Sequence, residues 1–144
     1  MSTQVDTALS DGQGSPVSHA FVAMGVDGKG VAKWYEKTTS SIAAGFFTLT
    51  SSMRIGSKVT DPIRFEGKLV VPTVVVETIN GVNYNKVSRQ MLVTISVIVP
   101  QDSTTQERKD LMRYVKQFCD WTSGGTAAQK MQLGAQVVDL DPPV

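Results

Sequence analysis

Arg54, Arg64 and Lys68 are the residues whose type and spacing suit a chemical task, and that task is holding an anion, not breaking a bond. Thr48, Thr50 and Ser52 precede Arg54 at intervals of two, Glu66 falls between Arg64 and Lys68 at the same interval, and Ser88 and Gln90 repeat it. An interval of two is the period of an extended strand, whose successive side chains point to opposite faces. Phe47, Leu49, Met53 and Ile55 fill most of the alternate positions of the first segment, and Ile63, Phe65 and Leu69 those of the second. Both therefore read as half-buried strands with one polar face. Antiparallel sheets commonly leave such a face in water, so parity by itself allows a solvated surface as well as a binding one.

No constellation for catalysis accompanies these residues. His19 sits in a short strand with no nearby Asp, Ser or Cys pattern, and reads as a structural or exposed histidine. Gly28-Lys29-Gly30 is too short for a phosphate loop and opens no helix. The single Cys119 excludes an intramolecular disulfide, no Cys/His spacing suits a metal, and no cofactor is expected. With 14 basic and 13 acidic residues the net charge is +1, so a nucleic-acid partner would require the cations to be sorted onto one surface. Residues 1–16 lack the basic start and apolar run of a signal peptide, and no apolar stretch is long enough for a spanning helix. The expectation is a soluble protein made in a cytoplasm, with one domain over residues 1–144.

Several elements must position the polar face. Thr3 to Leu9 and Val17 to Met24, on either side of Ser10-Asp11-Gly12-Gln13-Gly14-Ser15-Pro16, predict an N-terminal hairpin. Val31 to Glu36 predicts a short strand, and Thr38 to Gly45 a connection. Asn80-Gly81 predicts a tight turn between antiparallel neighbours, because both residues tolerate positive φ. Pro72 predicts a bend or irregularity. Lys86 to Val99 alternates like the earlier strands, with Arg89 and Leu92 as exceptions.

After Pro100, Ser103-Thr104-Thr105-Gln106 offers a capping-box start to a helix running from Glu107 to Trp121. Its stripe is Leu111, Val115, Phe118 and Cys119, with Cys119 expected to be buried. Ser123-Gly124-Gly125 is expected to end that helix. Thr126 to Leu133 is read as a shorter helical turn, and Val137 to Val144 as extended. Trp34 and Trp121 are read as packing residues. Strands followed by helices argue an α+β fold, with helices on one face of an antiparallel sheet.

The order of motifs resembles that of the coat proteins of the small single-stranded RNA phages, the leviviruses. The resemblance runs from Thr3 to about Trp121. Its pieces are Thr3-Gln4 before Asp11-Gly12-Gln13-Gly14, then Gly30-Val31-Ala32-Lys33-Trp34 and Thr50-Ser51-Ser52-Met53-Arg54. Lys68-Leu69-Val70-Val71-Pro72, Gly81-Val82 and Met91-Leu92-Val93-Thr94-Ile95 follow in order before the capped helix.

The resemblance implies an N-terminal hairpin, a five-stranded antiparallel sheet and two C-terminal helices. It further implies an intertwined homodimer with a ten-stranded sheet, in which Leu111, Val115 and Phe118 meet the mate. Such dimers would close an icosahedral shell, with the loop Thr78, Ile79, Asn80, Gly81, Val82 and Asn83 meeting symmetry mates. RNA contacts would fall on Thr48, Thr50, Ser52, Arg54, Arg64, Glu66, Lys68, Ser88 and Gln90, the set already placed on one face by parity. Arg and Lys suit phosphates, and hydroxyls suit unpaired bases. The implied partners are a second copy of the chain and single-stranded viral RNA, including a stem-loop bound as a translational repressor, and the implied location is the virion. Three positions depart from the family pattern: Ser88 offers no ring where some members stack a base, Glu66 is acidic, and Leu92 is apolar on the polar face. A cellular dimeric RNA- or ligand-binding module using the same face is the alternative, separable by particle size.

Overall fold

The computed structural model describes residues 4–120 and 133–140. Six strands form one antiparallel sheet in sequential order: β1 (Thr7–Ser10), β2 (Ser18–Val26), β3 (Val31–Glu36), β4 (Phe47–Arg54), β5 (Ile63–Ile79) and β6 (Val82–Val99). A 3-10 turn, Ala43–Gly45, precedes β4. Among the described residues two helices follow, α1 (Thr105–Cys119) and α2 (Leu133–Asp139). The chain divides into two compact units, residues 1–98 and 99–144.

The count of six corrects the expected five strands beside a separate hairpin. β2 serves two neighbours along its length: Ser18 to Phe21 pair with β1, and Val22 to Val26 pair with β3. One continuous strand therefore ties the hairpin into the sheet. Gly25, at φ +97°, takes up the β2–β3 bulge between the Ala23–Trp34 and Gly25–Lys33 pairs, a conformation that costs glycine little. The preceding residues are anchored too, since Trp34 Nε1 donates to Val5 O at 2.8 Å and Gln4 Nε2 donates to Lys33 O at 2.7 Å.

The β5–β6 turn is the two-residue one expected, with Asn80 at φ 51° and Gly81 at φ 80°. Pro72 lies beyond the last β4–β5 pair, Thr48 with Val70, so the β4 ladder asks no donor of it and β5 runs on through it. Glu36, fully buried at the end of β3, accepts hydrogen bonds from the Thr38 and Thr39 amides and from the Thr38 hydroxyl. Burial pushes this carboxyl up, yet the Thr38 and Thr39 hydrogen bonds outweigh it and the net shift is downward.

In the second unit, Thr104 caps α1 in a capping box with Glu107. The helix stops at Cys119, short of the expected glycine pair, because Asp120 adopts an extended conformation. Trp121 and Gly124-Gly125 lie outside the described residues. Cys119 is exposed, against the expected burial, because a position on an apolar helix stripe does not by itself supply a covering neighbour. α2 occupies Leu133–Asp139, where an extended segment was expected from Val137. Leu133 and Val137 stand four apart on one helix face, and Leu140 at φ 55° follows the helix. Of the expected helical turn, 126–133, all but Leu133 lies outside the described residues.

Candidate nucleic-acid interface

Cross-strand partners in an antiparallel pair share a face, so register converts sequence parity into rows of neighbouring side chains. Arg54 lies opposite Arg64, Ser52 opposite Glu66, Thr50 opposite Lys68 and Thr48 opposite Val70. The seven predicted residues of β4 and β5 thus share one face. β3 extends it, because Val31 pairs with Ser52, Lys33 with Thr50 and Tyr35 with Thr48. β2 completes two of the rows, Gly25 beside Lys33 and Val22 beside Tyr35.

Four rows result, each about 7 Å from the next along the strands. The first is Val22, Tyr35, Thr48, Val70; the second Gly25, Lys33, Thr50, Lys68; the third Val31, Ser52, Glu66; the fourth Arg54, Arg64. Lys33 and Tyr35 are the residues that sequence reasoning left off this face. Their signal was the odd parity of a six-residue strand, which fixes a face only once its register on β4 is known.

Charge is unevenly balanced across the rows. Lys33 Nζ lies 3.8 Å from Asp27 Oδ2. The Val31 and then the Lys29 amide hold the Asp27 carboxyl below its ordinary range, helped by the charges of Lys33 and Lys29 and opposed by desolvation. Arg54, Arg64 and Lys68 are exposed and, among the described residues, have no ion pair, although Glu66 lies in the neighbouring row.

Ser88 and Gln90 are exposed on β6, outside these rows. At the turn, Thr78 Oγ1 donates to Asn83 Oδ1 at 2.7 Å and Lys86 Nζ lies 3.5 Å from Glu77. A two-residue turn sets even-numbered residues opposite odd-numbered ones, so shared parity does not carry the face of Lys68 across this hairpin. The loop Thr78, Ile79, Asn80, Gly81, Val82 and Asn83 is exposed throughout.

The opposite face of β4 and β5 is apolar and incompletely covered, with Met53 54% and Phe65 38% exposed. Leu9, Phe21, Phe47, Leu69 and Val71 line a small recess there, together with Asp11 and His19. His19 Nε2 is 3.4 Å from Asp11 Oδ2, and its Nδ1 is 3.5 Å from Thr39 Oγ1. These contacts tie the hairpin loop to the connection after β3, giving the histidine a structural place. On α1, Leu111 and Phe118 are exposed and Val115 is half-buried. β6 forms an edge of the sheet over 18 residues and exposes Met91, Leu92, Val93, Ile95 and Ile98.

A family described as levivirus coat protein matches residues 2–142. Among solved structures, the virus-like particle of bacteriophage NT-214 is similar with a TM-score of 0.79 at 20% identity, over 99% of this chain and 100% of that one. The virus-like particle of Beihai levi-like virus 21 is similar at 0.70 and 25% identity, over 99% of each chain. The capsid protein of bacteriophage GA is similar at 0.70 and 18% identity, over 96% and 95%. No curated protein matches by sequence.

Proposed function

Because the chain belongs to the levivirus coat protein family, a family of structural capsid proteins and not of enzymes, we propose that it dimerises, closes an icosahedral shell and packages single-stranded genomic RNA. The observation carrying the RNA reading is the direct opposition of Arg54 and Arg64 on the sheet face that also carries Lys68 two rows away. Like charges opposite each other in an antiparallel pair weaken it, and a phosphate between them removes that cost. The same face binds one RNA stem-loop as a translational repressor.

Dimerisation follows from the edge and the helix. An 18-residue edge with Met91, Leu92, Val93, Ile95 and Ile98 exposed invites strand pairing, and a second copy of β6 satisfies it without open-ended growth. Counted over β2–β6, two copies form a ten-stranded sheet with β1 flanking each end. The α1 stripe of Leu111, Val115 and Phe118 then packs over the mate. The β5–β6 turn meets its copies around the shell's five-fold and quasi-six-fold axes. As a capsid protein the chain is a virion component; its synthesis is placed in the host bacterial cytoplasm.

Electron microscopy and size-exclusion chromatography of the expressed protein test the shell. Closed particles are expected, and small dimers under every assembly condition would overturn it. Leu111→Asp with Phe118→Asp should abolish particles; normal particles from this double variant would remove α1 from the interface. Nuclease-treated particles should yield protected RNA on extraction, and particles empty of RNA would sink the packaging claim.

A further inference from the structure

We infer that β3 adds a nucleotide subsite to the polar face, in which Lys33 and Lys68 take a backbone phosphate and the Tyr35 ring, beside Phe46, takes an unpaired base. The inference rests on the RNA-binding reading of this face and names a part of it that residues of β4 and β5 alone do not provide.

The geometry is set by register. Lys33 and Lys68 flank Thr50 in one row, two strand spacings or about 10 Å apart between backbones, a gap that two long side chains can close on one phosphate. Gly25 follows Lys33 in the row, and a Cβ built there would meet nothing within 4 Å, so the space beside Lys33 is open. Asp27 holds the Lys33 ammonium near the face without burying it, since the lysine side chain stays 42% exposed.

The adjoining row is of another character. Tyr35 lies between Val22 and Thr48, with Val70 beyond. Its ring is 6.4 Å from that of Phe46, inclined by 45°. Tyr35 is half-buried, and its hydroxyl makes no hydrogen bond among the described residues. An aromatic and aliphatic strip next to a cationic row matches a nucleotide, whose base is apolar on its faces and whose phosphate is charged. An apolar peptide would satisfy the first row and leave Lys68 of the second without a counter-charge among the described residues. The face thus has a stacking ring after all, on β3 and not near Ser88.

The test uses the full-length protein with two probes, an oligouridylate strand and an abasic ribose-phosphate strand of equal length. Tyr35→Leu should weaken oligouridylate binding about tenfold, as loss of one base–aromatic stack does, and leave the abasic strand unchanged. Lys33→Gln should weaken both probes alike and lower the salt slope by about 0.7. If Tyr35→Leu binds both probes like the parent while Lys68→Ala weakens both, the subsite is wrong and the RNA face stands. If Lys68→Ala and Arg54→Ala also bind like the parent, the RNA face itself falls. Should Tyr35→Leu not fold, photo-cross-linking of 5-iodouridine RNA to the parent decides. A cross-linked peptide containing Tyr35 or Phe46 supports the subsite, and cross-links found solely elsewhere overturn it.

Discussion

Replacing Glu66 with glutamine should shift the proposed RNA affinity and the folding stability in opposite directions. Glu66 has Arg64 and Lys68 two residues away on its own strand face, and Arg54 diagonally across the β4–β5 pair. Each of these separations is roughly 7 Å between backbone positions. None is close enough for an ion pair among the described residues, so the interactions are solvent-mediated. At that distance in water one pair of unit charges interacts by about 0.6 kcal/mol. Screening at physiological ionic strength reduces this to about 0.25 kcal/mol, since 7 Å is close to the Debye length of about 8 Å.

Three cations then give a stability loss of at most about 0.7 kcal/mol for Glu66→Gln, within the range found for exposed pairs. On the RNA side the sign reverses. Two phosphates seated near the arginine and lysine rows are each repelled by Glu66 by about the same 0.25 kcal/mol, so the variant should bind about twofold tighter. At 10 mM salt, where screening nearly vanishes, the gain should reach about fivefold. Fluorescence anisotropy with labelled single-stranded RNA across this salt range reads the affinity, and thermal melting of the RNA-free protein reads the stability. Weaker binding by Glu66→Gln at low salt would refute the electrostatic reasoning, and would mean that the carboxylate accepts a hydrogen bond from the RNA.

Three further outcomes follow from the same geometry. Arg54→Ala and Lys68→Ala should each flatten the dependence of log affinity on log salt by about 0.7, measured by filter binding between 50 and 200 mM; unchanged slopes in both place the phosphates elsewhere. Gly81→Ala should cost about 1 kcal/mol in thermal or urea melts, because φ 80° in a two-residue turn disfavours a side chain; an equally stable variant would mean that the turn relaxes to another type. The Asp11 carboxyl is held below its ordinary value of 3.8, first by the Val17 amide, then against desolvation by the Gln13 amide and by His19. Glu36 is likewise lowered from 4.5, where burial is outweighed by Thr38 and Thr39. A depressed folded-state pKa stabilises the fold above the unfolded value and is lost as pH falls through the folded one. Melting temperature should therefore drop below about pH 4 to 4.5, and less so in Asp11→Asn and Glu36→Gln; parallel curves for parent and variants would assign acid sensitivity to other groups.

The fold was legible wherever a local rule was strong. Alternation in Phe47 to Ile55 and Ile63 to Val71 named two strands and their polar faces, Asn80-Gly81 named the turn, and Ser103-Thr104-Thr105-Gln106 named the helix start to within one residue of the Thr104/Glu107 box that forms. These features depend on periodicity, positive φ and hydrogen bonding within a few residues, all of which a single segment carries. Cys119 and the end of α1 were misread because burial and helix termination depend on what lies beyond the segment.

Register was decided only in three dimensions. Nothing local to Val31 to Glu36 says that Lys33 stands beside Thr50 or Tyr35 beside Thr48, because pairing is a contact between distant segments. Likewise β2's double role, which joins the hairpin to the sheet, exists only once both neighbours are in place. The amino-acid order by itself determined which residues of each strand are polar. Tertiary structure decided which strands contribute to the polar face, and so brought Arg54 against Arg64 and aligned Lys33 with Lys68.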